Sequence, residues 1–133
     1  MNAKDWLNRA YKLDKEIDSL EAAKRTMYNR ITGITPNYGG EVVNGTKDPH
    51  KYDEYVAYCA KVDKLVDEYV DIKCEIHTII AQIKDTKLRT ILLARYINFL
   101  TFEQIAVDMS YDWRHIMRLH KQALAEVEKL IMS

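Results

Sequence analysis

Residues that break helices are scarce and confined to one place. Only four Gly and two Pro occur in 133 residues, and all six lie between Gly33 and Pro49. The rest of the chain carries nothing that must stop a helix, and no alternating pattern long enough to build a strand. The expected fold class is therefore all-α. An excess of one charge is also missing, since 20 Lys and Arg balance 20 Asp and Glu. A neutral chain is not a polybasic tail binder, and its nonspecific pull on DNA is modest. Recognition of nucleic acid would have to come from a local patch, from two copies acting together, or from a partner. There are two cysteines, Cys59 and Cys74. On one helix they would stand roughly 22 Å apart at about 1.5 Å per residue, which excludes an internal disulfide. They are expected to be small buried apolar residues, in keeping with a cytosolic setting. No stretch approaches the ~20 apolar residues of a membrane span. The start, "MNAKDWLNRAYKLDKEIDSL", has no apolar run for a signal peptide. A cytoplasmic protein without a membrane partner is expected.

What is present is long-range helical periodicity. Trp6, Ala10, Leu13, Ile17, Leu20, Met27 and Ile31 follow one another in steps of four and three, interrupted at Lys24. They predict one helix over about 2–32 with a coiled-coil-like seam. The segment 33–49 reads as a mobile loop, with a small hairpin at Val42-Val43 before Asn44-Gly45. A second helix is predicted over about 50–84, with Tyr55, Tyr58, Val62, Leu65, Tyr69, Ile72, Ile76, Ile79 and Ile83 in its seam. Together the two make a long antiparallel helical hairpin, 1–84, with Trp6 close to Ile79, Ile83 or the start of the C-terminal helices. Cys59, Val66 and Ile80 widen the second seam beyond what two helices need. Either a second copy, giving a homodimer, or the C-terminal segments folding back would cover the extra width. Tyr52 and Tyr55 suit a partner surface, because tyrosine joins apolar area to a polar tip.

The segment 85–133 divides into three shorter helical pieces: "DTKLRTILLARYI", then Thr101 to Met109, then Asp112 to about Ile131. Thr101 with Gln104 three residues later is a capping-box pattern. Met109-Ser110-Tyr111 is a tight turn lacking the glycine that such turns favour. Asp112 is a good start for the last helix. That helix should bury Ile116, Leu119, Ala123, Val127 and Leu124. It should present Trp113, Arg114, His115, Arg118, Lys121 and Gln122 to solvent. No acid occurs from Trp113 to Ala125, so a neutral chain carries a local basic face on the helix that a helix-turn-helix inserts in the major groove.

The stretch "YINFLTFEQIAVDMSYDWRHIMRLHKQAL" resembles region 4 of bacterial sigma-70-type factors, with Leu100, Thr101, Ile105, Ala106, Ala123 and Leu124 matching. With "AKDWLNRAYKLDKEID" at the start, the chain is similar to a family of small phage-encoded regulators of Gram-positive bacteria, akin to late transcription regulators of the ArpU and RinA type. The resemblance implies a sequence-specific DNA-binding transcription regulator. By position, Trp113, Arg114 and Arg118 would read base edges, and His115, Met117 and Lys121 would lie near the backbone. Thr101 and the amides beside it would hold a phosphate. Trp113 and Met117 stand where sigma factors often carry Arg, and no region 2 motif is present. The chain is therefore not a complete sigma factor, and a −35 element is not implied as its target. The expected partners are double-stranded DNA, a second copy, and RNA polymerase. A rival from another class is an interaction protein whose sigma-like end binds RNA polymerase or a host factor instead of DNA. A third is a small packaging subunit.

Other chemistry finds little footing. Cys74 and His77 share a helix face, but zinc needs about four ligands and no second pair stands at a suitable spacing. Gly39-Gly40 lacks the strand, Lys and hydroxyl of a phosphate loop. The acids are scattered among lysines on solvated faces. No metal, no cofactor and no enzymatic activity are expected.

Overall fold

The computed structural model describes residues 2–33 and 49–132. All regular structure among them is helical: α1 Ala3–Leu7, α2 Arg9–Thr32, α3 Pro49–Ala81, α4 Thr86–Leu92 continuing into a π-helical turn Leu93–Ile97, α5 Phe102–Met109 and α6 Trp113–Met132. The loop expected after Gly33, with its small hairpin at Val42-Val43, lies outside the described residues. No described helix is long and apolar enough to cross a membrane.

Two boundaries differ from the periodic expectation. The first helix is interrupted at Asn8, which closes α1 with a flattened backbone (φ −75°, ψ −5°). At this break Arg9 Nε donates to the Trp6 carbonyl (2.9 Å) and the guanidinium lies over the Trp6 ring. The offset buries Ala3 and Leu7 completely and leaves Trp6 half-buried. The second helix ends at Ala81, not near Lys84. Gln82 and Ile83 donate to Ile79 and Ile80, so the last turn tightens to i→i−3 bonds. Arg89 then reaches back to the carbonyls of Ile83 and Lys84, and Asp85 caps α4 by accepting from Lys87 N (2.9 Å). Gly33 ends α2 at φ 72°, a conformation glycine adopts without a Cβ clash.

The chain forms two compact units. One comprises Met1–Leu13 and Tyr69–Ser133, the other Asp14–Glu68. In the first, α6 packs on α1, α4 and α5. Leu7, Ile76, Ile91, Leu92, Ile116 and Val127 are fully buried there, and Trp6 and Ile79 pack against the same cluster as Ile83. In the second unit Ile17 and Val62 are buried, while Tyr55, Tyr58, Cys59, Leu65 and Val66 are half-buried. Tyr58 donates to the Leu20 carbonyl (3.3 Å) and the rings of Tyr28 and Tyr55 meet at 5.9 Å. The two cysteines are free thiols, but neither is buried: Cys59 is half-exposed and Cys74 exposed.

One polar side chain enters the first core. His120 is 6% exposed and falls on the same row of α6 as Ile116 and Ala123. Its Nε2 and the Tyr96 hydroxyl share a hydrogen bond of 2.7 Å, and the Phe102 ring meets it edge-on at 4.7 Å. Burial first, then the positive charges of Arg95 and Lys4, push the imidazole pKa down to about 4. Burial lifts the Tyr96 phenol to about 12. Both groups are neutral near pH 7, as a shared bond in a low-dielectric site requires.

Two outcomes are expected. Leu7→Ala should destabilise the fold by ~2–5 kcal/mol as a buried truncation, read by urea denaturation. His120 also makes stability depend on pH. Its folded pKa lies below the unfolded value, so its contribution is full above about pH 6.5. It is lost as pH falls toward 4, because the unfolded state binds the proton first, a loss of about 3 kcal/mol at most. His120→Gln should flatten the denaturation midpoint between these pH values. An unchanged pH profile in the variant would show that the imidazole is not held neutral.

Candidate nucleic-acid interface

The candidate surface is built by α5, the turn after it and the first half of α6. Thr101 starts α5 through both bonds of a capping box. Its hydroxyl accepts from Gln104 N (3.2 Å), and Gln104 Oε1 accepts from Thr101 N (2.9 Å). These amides are thus satisfied within the helix, which leaves Phe102 and Glu103 N–H of the first turn for any anion. Ile105 and Ala106 face the core.

The turn is made without glycine. Ser110 takes the left-handed conformation (φ 57°, ψ 39°), and Tyr111 N donates to the Ala106 carbonyl (3.0 Å). The chain then re-enters helix, with Ile116 N donating to the Asp112 carbonyl (3.1 Å). The preceding corner has the same character: Phe99 stands at φ 58°, and Leu100 N donates to the Ala94 carbonyl. Arg95 braces that corner by donating to the Leu100 carbonyl (3.0 Å) while lying over the Phe102 ring.

Along α6 the two faces separate cleanly. Ile116, Leu119, His120, Ala123 and Val127 are buried, and Leu124 is half-buried. Trp113, Arg114, Arg118, Lys121 and Gln122 are all exposed, as is Thr101 on α5. Arg114 and Arg118 stand one turn apart on the outward face. His115 differs from the rest of the expected set. It is half-buried, with its ring edge-on to Tyr111 at 4.8 Å, so it props the start of α6 as well as bordering the surface. Lys87 from α4 brings a further cation to this end, its Nζ 5.9 Å from the centre of the Tyr111 ring. No sequence signal marks Lys87, which lies more than twenty residues away. The acids nearest in sequence, Asp108 and Asp112, are exposed on the turn side. The positive surface therefore begins at Arg114, within the first turn of α6.

The left-handed Ser110 costs roughly 1–2 kcal/mol relative to glycine in the folded chain, partly offset because glycine is freer when unfolded. Ser110→Gly should therefore raise stability by up to about 1 kcal/mol, measured by thermal or urea denaturation. A loss of stability would mean that the turn depends on the serine side chain.

Residues 34–128 match the model of a family described as "Protein of unknown function (DUF1492)". No curated protein and no solved structure matches the chain. The match takes in the whole of α4, α5 and the outward face of α6, and by it the chain belongs to the DUF1492 family.

Proposed function

We propose that the chain is a sequence-specific DNA-binding transcription regulator of phage or mobile-element type. α5 and α6 act as a helix-turn-helix. α6 enters the major groove, with Trp113, Arg114 and Arg118 toward base edges and Lys121 and Gln122 toward the backbone. α2 and α3 form a long antiparallel hairpin that joins two copies. The observation that carries this is the two-sidedness of α6: a buried apolar row opposite an exposed face that carries no acid from Trp113 to Ala125, on a chain of zero net charge. A guanidinium on such a face can grip guanine through two parallel hydrogen bonds. Support for the hairpin comes from the contacts of the smaller unit, where Leu20 meets Tyr58 and Tyr28 meets Tyr55, so that numbers rising on α2 fall on α3. Support for pairing comes from the half-buried apolar row of α3 in that unit.

A second reading is favoured by one observation on α5. Val107 is 77% exposed in a shallow depression with Leu100, Glu103, Gln104 and Asp108. An apolar side chain flanked by two acids suits a protein partner, such as RNA polymerase or a host factor, better than DNA.

Selection of bound sequences from a random duplex pool would identify the target. On that target Arg118→Ala should weaken binding by roughly 1–3 kcal/mol while shifting stability by less than about 0.5 kcal/mol. Lys121→Ala should weaken all sequences alike and reduce the salt slope by about one. If no duplex is enriched at low salt, or if Arg114→Ala and Arg118→Ala bind as tightly as the parent, α6 is not a recognition helix and the protein-partner reading replaces it.

A further inference from the structure

A cleft of about 380 Å³ opens within the larger unit, with no residue of α6 in its lining. It is lined by Asn8, Tyr11 and Lys12 from the first helical stretch, and by Arg95, Phe99 and Thr101 from the segment that leads into α5. The volume is in the range of small-molecule sites. Two cations line it and no carboxylate does. Among the described residues, neither Lys12 nor Arg95 stands in an ion pair. Arg95 is held in place by the Leu100 carbonyl and the Phe102 ring, and its other N–H groups remain to donate. The apolar wall is a corner of two rings, Tyr11 against Phe99 edge to face (5.5 Å, 74°). Lys73 lies over the Phe99 ring at 4.9 Å and adds positive charge at that wall.

Two further observations mark the place. Phe99 occupies a left-handed conformation that costs a non-glycine residue energy, and such residues gather at ligand clamps. The Arg95 charge is also felt in the neighbouring core, where burial first and then Arg95 and Lys4 depress the His120 imidazole.

We propose that this cleft binds a small phosphate monoester with a planar body, its phosphate held by Lys12, Arg95 and the Thr101 hydroxyl and its body resting on Tyr11 and Phe99. A fixed guanidinium beside a flexible ammonium matches a dianionic phosphate better than a single carboxylate. The concave wall fits a free small molecule, and the site stands independently of DNA binding by α6. Its occupant would bear on Thr101, and so on the start of α5.

The test uses the full chain, isotope-labelled for NMR, titrated with adenosine 5′-monophosphate, inorganic phosphate and adenosine. The monophosphate should bind at millimolar concentration or tighter and shift the amides of Tyr11, Lys12, Phe99 and Thr101. Inorganic phosphate should shift the same amides more weakly, and adenosine should leave them unmoved. Lys12→Glu, at an exposed position, should weaken the monophosphate by at least about tenfold with an unchanged melting temperature. Phe99→Gly relieves the backbone and removes the ring, and should bring the monophosphate down to the affinity of inorganic phosphate. The proposal is overturned if no shifts occur, if they fall on α6 instead, if adenosine binds as well as the monophosphate, or if Lys12→Glu binds unchanged. Duplex DNA displacing the monophosphate from these amides would also overturn it, by assigning the cations to a nucleic-acid backbone.

Discussion

Burial of one face of α6 is the interaction on which the larger unit depends. Ile116, Ala123 and Val127 have no exposure, and they meet α1, α4 and α5 in a core that also holds Leu7, Ile76 and Ile91. Each fully buried Ile, Leu or Val among them contributes roughly 1.5–3 kcal/mol. The row fixes the rotation of the helix about its axis. Once it is inside, Arg114 and Arg118 have no direction left but outward. The basic face is thus a consequence of the core.

The second constraint is the shortage of glycine. Two helices must end sharply for α5 and α6 to cross, and both endings need a left-handed residue. With all glycine placed between Gly33 and Gly45, Phe99 and Ser110 take these positions instead. The Thr101–Gln104 capping box directly follows the first corner, and the Tyr111–His115 contact directly follows the second. Local hydrogen bonds and ring contacts hold the geometry that glycine would have provided by conformational freedom. Phe99 gains in addition a ring contact with Tyr11 and a cation with Lys73, which tie the corner to α2 and α3.

The buried His120–Tyr96 pair serves the same end. A polar pair inside an apolar core is tolerated because each satisfies the other, and the bond is directional where aliphatic contacts are not. It pins α6 to the π-helical turn at a single register. Among the described residues of the smaller unit no buried side-chain pair joins the helices, and the part-buried Tyr58 hydroxyl bonds to the Leu20 carbonyl instead. Its apolar positions are mostly half-buried, since a pair of helices can cover only one stripe of each.

The all-helical class was legible in the sequence because helix breakers are confined to one segment and because apolar residues recur at steps of three and four. The start of α5 was legible as well, since a capping box is made by residues three apart and needs nothing distant. So was the polarity of α6, which follows from local periodicity. The break at Asn8 was not legible, nor was the choice of Leu7 over Trp6 as the fully buried residue. Adjacent apolar side chains point to different sides of a helix, and which side meets the core depends on Ile76, Ile80 and α6, some seventy or more residues away. Past the end of α3 at Ala81, the Ile83 and Lys84 carbonyls are taken up by Arg89 from the next helix, a contact that periodicity in α3 does not announce. His120 shares the inward row of α6 with Ile116 and Ala123, but the partner that lets a polar ring be buried there, Tyr96, comes from another element across the core. Lys87 beside Tyr111, and Lys12 beside Arg95, are brought together only by packing. Periodicity along one helix states which residues share a face, but the tertiary fold alone decides what that face meets.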